Sequence, residues 1–270
     1  MGELRIGIAG VAGRMGRALV AEVCAHAGCT LAAGSDAPGS PATGQPIHEP
    51  ATGADTRKVV LDDPAALFDA SDVVIDFTLP VATEQHARLA GDTATPLVIG
   101  TTGLDAAHQA AIDQAAGRAA VVQAANFSLG VNLLLALTRL AAARLDDRFD
   151  IEIVEMHHRH KVDAPSGTAL ALGQAAAEGR GVDLAAVADR GRDGITGPRT
   201  PGHIGFAVLR GGDVAGEHSV VFAGQQERVE LTHKATDRAI FARGAVSAAV
   251  WAAGRPAGLY SMADVLDLSG

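Results

Sequence analysis

The chain has 270 residues, 48% hydrophobic and 20% charged, which is enough apolar material for one large or two modest domains and excludes disorder as its main theme. Its 22 basic and 31 acidic residues leave a formal charge of −9, which argues against a nucleic-acid coat or a polybasic membrane binder but leaves room for a local basic pocket. Two cysteines, Cys24 and Cys29, make no disulfide framework or zinc knuckle. With no apolar run of roughly 18 residues and no signal-peptide pattern at the start, a soluble cytoplasmic protein is expected.

The first 125 residues alternate short apolar runs with Ala-rich stretches. Strands are predicted at Leu4–Ala9, Leu31–Ser35, Val73–Phe77, Leu97–Ile99 and Ala120–Gln123, with helices at Met15–Ala27, near Ala82–Ala90 and at Asp105–Ala116. Strands apolar throughout are buried on both faces, so this rhythm predicts an α/β fold with a Rossmann-like parallel sheet. The proline- and glycine-rich stretch from Ser35 to Asp62 reads as a long irregular loop, with room for a short strand at Lys58–Leu61.

The later half differs. Helices are predicted at Gly130–Leu145 and Ser166–Glu178, the latter with a serine at its cap, and strands at Asp150–His157, Ile204–Arg210, His218–Ala223 and Gln226–His233. An Ala-rich helix at Ala239–Ala253 follows. The expected plan is a dinucleotide-binding domain of residues 1–128 plus 239–270, with an inserted α+β domain of residues 129–238 for substrate binding and oligomerisation.

Between the first strand and helix stands Gly10-Val11-Ala12-Gly13-Arg14-Met15-Gly16. Such a turn aims backbone N–H groups and the positive helix end at a pyrophosphate, and glycines allow both the tight turn and the close approach. The spacing is G-x-x-G-x-x-G, with Ala12 where the commoner fingerprint has its second glycine. The other reading is a close-packed turn without ligand. Asp36, at the end of the second strand, reads either as a ribose ligand favouring NADH over NADPH or as a solvated loop aspartate. Gly100-Thr101-Thr102-Gly103 and Ala124-Ala125-Asn126-Phe127-Ser128 follow strands at their carboxyl ends, where small residues and hydroxyls could admit a flat nicotinamide ring.

The densest chemistry is His157-His158-Arg159-His160-Lys161-Val162-Asp163-Ala164-Pro165-Ser166-Gly167-Thr168. Five consecutive basic residues in an acidic chain, facing a helix start at Ser166, make a site for a small dianion. Three histidines also suggest a metal, but no metal site is expected, because neither metal-ligand spacing nor a carboxylate or thiolate cluster is evident there.

The blocks IAGVAGRMGR, VVIDFT, VIGTTG, AANFSLGVN, EMHHRHKVDAPSGTAL, RTPGHIGFAVLRGGDVAGEH, ERVELTHKATDR and FARGAV, in this order, resemble the 4-hydroxy-tetrahydrodipicolinate reductase (dihydrodipicolinate reductase) family over essentially the whole chain. The resemblance implies NAD(P)H-dependent reduction of that small dicarboxylate, with loss of water, on the diaminopimelate route to lysine. It makes His157 the proton donor or acceptor and Lys161 the general acid. It assigns His158, Gly167 and Thr168 to the substrate. Gly10, Val11, Ala12, Gly13, Arg14, Met15, Asp36, Gly100, Thr101, Thr102, Ala124, Ala125, Asn126 and Phe127 are assigned to the cofactor. It also implies a homotetramer built through the inserted domain, and no nucleic-acid or membrane partner. Ala37 and Leu79 stand where some members carry arginines suited to a 2′-phosphate, which leaves NADH slightly favoured. Closure about segments near Ser128 and Lys234–Arg238 is expected. The rivals are another two-domain nicotinamide dehydrogenase, a non-catalytic NAD(H) sensor and, last, a metal hydrolase. A phosphorylating semialdehyde dehydrogenase would need a thiol nucleophile, and neither cysteine is expected at a strand end.

Overall fold

The computed structural model describes residues 2–268 and divides into two compact units, Met1–Leu129 with Ala239–Gly270, and Gly130–Arg238. Numbered along the chain, the first unit opens with β1 (Leu4–Ala9), α1 (Arg14–Ala25), β2 (Cys29–Ser35), β3 (Pro46–His48), β4 (Asp55–Leu61) and α2 (Pro64–Ala70). It continues with β5 (Val73–Asp76), α3 (Pro80–Thr93), β6 (Leu97–Ile99), α4 (Ala106–Ala116) and β7 (Ala120–Gln123). The second unit holds α5 (Leu129–Arg144), whose first residue belongs to the first unit, then β8 (Asp150–His157), α6 (Gly167–Arg180), α7 (Leu184–Val187), β9 (Ala188–Asp189), β10 (Ile204–Arg210), β11 (Gly216–Gly224) and β12 (Glu227–Ala235). The chain then returns to the first unit with α8 (Ala239–Ala252), β13 (Gly258–Tyr260) and α9 (Met262–Val265).

The first unit is an eight-stranded sheet in the order β13-β7-β6-β5-β1-β2-β4-β3, parallel except for β3 against β4. Side chains alternate between two helix layers. Ile6, Ile8, Val73, Ile75, Val98 and Val122 pack in one core with Leu19, Val20 and Val23 of α1 and the alanines of α8. Val74, Leu97, Ile99 and Val121 pack in the other with Leu67, Phe68, Ala87, Ala90 and Ile112. Both faces are therefore covered, and the strands need no polar alternation. The order reverses at β1, whose Ala9 pairs with Ser35 on one side and Asp76 on the other. That switch point gathers the turns after β1, β2 and β5 in the crevice where open α/β sheets take ligands.

The stretch Ser35–Asp62 is not an irregular loop. It carries the β3–β4 pair, and β4 is seven residues long. β4 contains the short strand expected at Lys58–Leu61 and extends it back to Asp55, through an alternation in which Asp55, Arg57 and Val59 are exposed. Asp105 lies outside α4, as an N-cap accepting from the Ala107 and His108 amides. Cys29 does begin a strand, contrary to expectation, but at the amino end of β2, away from the ligand edge.

The second unit has a mixed sheet, β12-β11-β8-β10-β9, with β8 parallel to β10 and antiparallel to β11. Alternation along β8 sends Ile151, Ile153, Glu155 and His157 to one buried face, where Leu172 and Ala176 of α6 complete the core. Two polar residues thus extend an apolar row. Among the described residues, no helix is long and apolar enough to cross a membrane.

Candidate functional site

In the first unit, Gly10 has φ of +71°, a left-handed conformation natural to glycine, and turns the chain from β1 into α1. A Cβ on Gly16 would lie 2.2 Å from the Gly10 carbonyl oxygen, so only glycine lets the helix sit this close to the turn. The Val11 N–H donates to the Ser35 carbonyl (2.9 Å) and the Gly13 N–H to that of Gly10 (3.0 Å). Gly13 is the N-cap and no side chain caps α1, so the amides of Ala12, Arg14 and Met15 lead a helix start with no side-chain acceptor. Asp36 lies just beyond β2, one carboxylate oxygen accepting from the Ala37 amide (2.8 Å).

Thr101 is not the open hydroxyl the sequence suggested. It is buried, accepting from Thr83 Oγ1 at 2.7 Å and lying 3.5 Å from Asp76 Oδ1. Asp76, fully buried, also accepts from the Thr78 amide (2.8 Å), the Thr78 hydroxyl (2.6 Å) and His86 Nδ1 (2.9 Å). Burial pushes its carboxyl up, but His86 and the threonine hydroxyls hold it below the usual range. Thr102 and Ala125 are exposed, whereas the Phe127 ring is buried against Phe77, with centroids 5.3 Å apart. Gly100 abuts Phe77 so closely that a Cβ would overlap the ring. Asn126 Oδ1 accepts from the Ser128 amide.

In the second unit, His157 ends β8 with only 8% of its surface exposed. Its Nδ1 lies 2.6 Å from Glu155 Oε2. Glu155, 1% exposed, also accepts from Arg210 Nη1 (2.8 Å), Arg210 Nη2 (3.0 Å) and the Ser166 amide (2.9 Å). Strand register explains the gathering, because Arg210 of β10 pairs with His157 and His218 of β11 pairs with Glu155. Burial raises the Glu155 carboxyl, but Arg210, His157 and the Ser166 amide outweigh it and hold the group below its usual range. His218 stacks edge-on to His157 (5.0 Å) and lies 3.1 Å from Ser166 Oγ. Burial first, then the neighbouring His157, pushes His218 down to about 4.

Ser166 Oγ caps α6 through the Ala169 amide, placing Gly167, exposed, and Thr168, half-buried, in the first turn. Lys161 Nζ pairs with Asp163 at 2.8 Å, and the Lys161 amide donates to the His158 carbonyl. His158 Nε2 meets Arg238 Nη2 at 3.1 Å, and both line an open pocket with His160, Gly212, Asp213 and Thr236. Burial, then the Arg238 cation and His160, push the His158 imidazole down.

A carboxylate does cluster here, contrary to expectation: ligand atoms of Glu155, His157 and His218 lie within 4.8 Å of one another. Four N–H contacts already occupy the Glu155 oxygens, so this donor set is arranged for protons and suits a metal poorly. Glu155, Arg210 and His218 escaped the sequence reading. The signal was the alternation in DIEIVEMH and HSVVF, which puts Glu155 and His218 on buried rows.

A reversing parallel sheet with a glycine turn, followed by an inserted mixed sheet with a buried imidazole, defines a two-unit nucleotide-fold oxidoreductase. The dihydrodipicolinate reductase profiles match residues 4–127 (N-terminus) and 130–266 (C-terminus). The chain belongs to the dihydrodipicolinate reductase family. It is 54% identical over 269 residues to a protein of Rhodopseudomonas palustris named 4-hydroxy-tetrahydrodipicolinate reductase, covering 99% of this chain and 98% of that one. A protein of the same name from Thiobacillus denitrificans is 54% identical over 266 residues, covering 98% and 99%. Among solved structures, a dipicolinate-bound dihydrodipicolinate reductase from Paenisporosarcina superposes with a TM-score of 0.77 at 26% identity, over 96% of this chain and 97% of that one. An amine dehydrogenase from Mycobacterium smegmatis (TM-score 0.64, 12% identity, 96% and 95% covered) shares the fold.

Proposed function

We propose that the chain reduces 4-hydroxy-tetrahydrodipicolinate to tetrahydrodipicolinate, with loss of water, on the diaminopimelate route to lysine. The observation that carries this reading is the 54% identity, over nearly all of both chains, to relatives bearing that reductase's name. The buried imidazole beside the α6 start supports it in chemistry.

The first unit is read as the dinucleotide domain and the second as the substrate and oligomerisation domain of a cytoplasmic homotetramer. The Gly10–Met15 turn fits a pyrophosphate, because Gly10 and Gly16 leave no Cβ in the way and α1 has no side-chain cap. The turn residues Gly10, Val11, Ala12, Gly13, Arg14 and Met15 would hold the dinucleotide. Asp36 would take the ribose, and Gly100, Thr101, Thr102 and Ala124 to Phe127 the nicotinamide side, chiefly through backbone where Thr101 and Phe127 turn inward. Bound reduced nicotinamide would supply hydride to ring C4 of the substrate. Asp36, followed by the uncharged Ala37, favours NADH.

The remaining chemistry belongs to the second unit. Hydride arrival leaves an enamine that needs a proton at C3, and His157 with Lys161 supplies it. His158, Gly167 and Thr168 hold the substrate carboxylates, with the α6 amides and positive helix end favouring the anion. Purified protein with freshly generated substrate, assayed with NADH and NADPH separately, tests this. Substrate-dependent oxidation, faster with NADH, is expected. No substrate-dependent oxidation of either nucleotide would refute the activity.

A further inference from the structure

Nothing in the proposed reaction requires Glu155, yet the fold spends a fully buried carboxylate on it. Glu155 Oε2 faces His157 Nδ1 and Arg210 Nη1, while Oε1 faces the Ser166 amide and Arg210 Nη2. An ionised carboxylate only accepts, so Nδ1 must carry a proton in this arrangement. The other ring nitrogen, Nε2, has no hydrogen-bond partner among the described residues. A Cβ added to Gly216 would lie 3.1 Å from that atom and 3.4 Å from Cδ2, so glycine keeps its approach clear.

We infer that Glu155, clamped by Arg210, is a positioning residue that fixes His157 as the Nδ1–H tautomer, and that Gly216 keeps Nε2 open as the proton-carrying atom. The inference rests on the activity proposed above. In the protonated ring both nitrogens carry hydrogen. The Nε2–H bond breaks as the C3–H bond forms, its electron pair stays on Nε2, and the Nδ1 proton and the Glu155 charge stay in place. Reprotonation of Nε2 from solvent completes the cycle, and His157 returns unchanged.

Glu155→Gln probes this because an amide has one acceptor. In place of Oε1, its NH2 would oppose the Ser166 N–H, which cannot reverse. Either position also faces an Arg210 N–H, a loss common to both, but in place of Oε2 the NH2 meets His157, whose ring can answer by moving its proton to Nε2. That tautomer presents Nε2 wrongly, and wrong-tautomer substitutions of this type cost up to about 10⁴ in kcat.

The experiment combines ¹⁵N NMR of the histidine rings with steady-state kinetics on the full chain. In the wild type the neutral His157 ring is expected to carry its proton on Nδ1; a proton on Nε2 overturns the inference without any variant having to fold. In Glu155→Gln the proton moves to Nε2 and kcat falls on the order of 10² to 10⁴, with substrate KM changed only a few-fold. Turnover within a few-fold of wild type overturns the role. Gly216→Ala, which leaves the buried charges alone, is expected to lower kcat with the tautomer unchanged; unaltered kcat contradicts an open Nε2. If wild-type protein fails to reduce the substrate, the activity falls, while the tautomer measurement still decides the positioning.

Discussion

Each unit buries one carboxylate against one histidine, and the two pairs end differently. Asp76 and His86 close on themselves: Thr78 and Thr101 complete the carboxylate, and His86, 5% exposed, packs near the Phe68 ring. Glu155 and His157 use a similar bond, but where His86 meets the Phe68 ring, His157 meets the edge of the His218 imidazole (5.0 Å), and Gly216 places no Cβ against Nε2. A buried carboxylate–imidazole pair is therefore not in itself a sign of chemistry. On the proposed function, what lies on the far side of the imidazole separates a brace from a working group. The Asp76 brace ties the turn after β5 to the one after β6, both at the carboxyl edge of the sheet.

Three changes sharpen that contrast, from the largest effect to the smallest. Lys161→Ala should cut substrate-dependent NADH oxidation by about 10² to 10⁴, with the denaturant midpoint nearly unchanged, because among the described residues its ammonium pairs only with half-exposed Asp163. Activity near wild type would remove lysine from the reaction.

The second is a pH effect confined to the second unit. The folded value of His218 (about 4) lies below its ordinary 6.5, so between these the unfolded chain binds the proton and the folded one resists it. Stability should thus fall as pH drops from about 6.5 towards 4, by up to about 3 kcal/mol at 1.36 kcal/mol per unit. His218→Gln keeps a hydrogen-bonding group for Ser166 and should flatten this slope in urea melts at stepped pH. An unchanged slope would assign the acid sensitivity elsewhere.

The third concerns nucleotide choice in the first unit. Asp36→Ala should raise the KM for NADH roughly tenfold, about the worth of a charge-assisted hydrogen bond. Ala37→Arg should shift the kcat/KM ratio towards NADPH by a similar factor. A ratio that ignores both would mean that the turn after β2 does not read the ribose.

Much of this was legible in the sequence. β1, β6, β7, β8 and β10 stand at the bounds their apolar runs indicated, and the glycine turn and basic block lie where strand–turn–helix reasoning put them. Of the β3–β4 pair only Lys58–Leu61 was legible, because the amino half of β4, bearing Asp55 and Arg57, and the three-residue edge strand β3 lack the buried strand's apolar signature. Neither was β13, three residues whose place depends on pairing with β7 from far along the chain. At the site, the histidines and lysine announce themselves by crowding. Glu155, Arg210 and His218 come from three strands, and only the register of β8 with β10 and β11 brings them together.

The most direct measurement is a side-by-side comparison of His157→Ala and His86→Ala, each assayed for substrate-dependent NADH oxidation and for its urea midpoint. His157→Ala should lose about 10² to 10⁴ in turnover. His86→Ala, which strands a buried carboxylate, should lose about 3–5 kcal/mol of stability while its folded fraction keeps turnover within about tenfold of wild type. If the two variants lost activity equally, or if His157→Ala kept its turnover, the distinction between the closed pair and the open one would be contradicted.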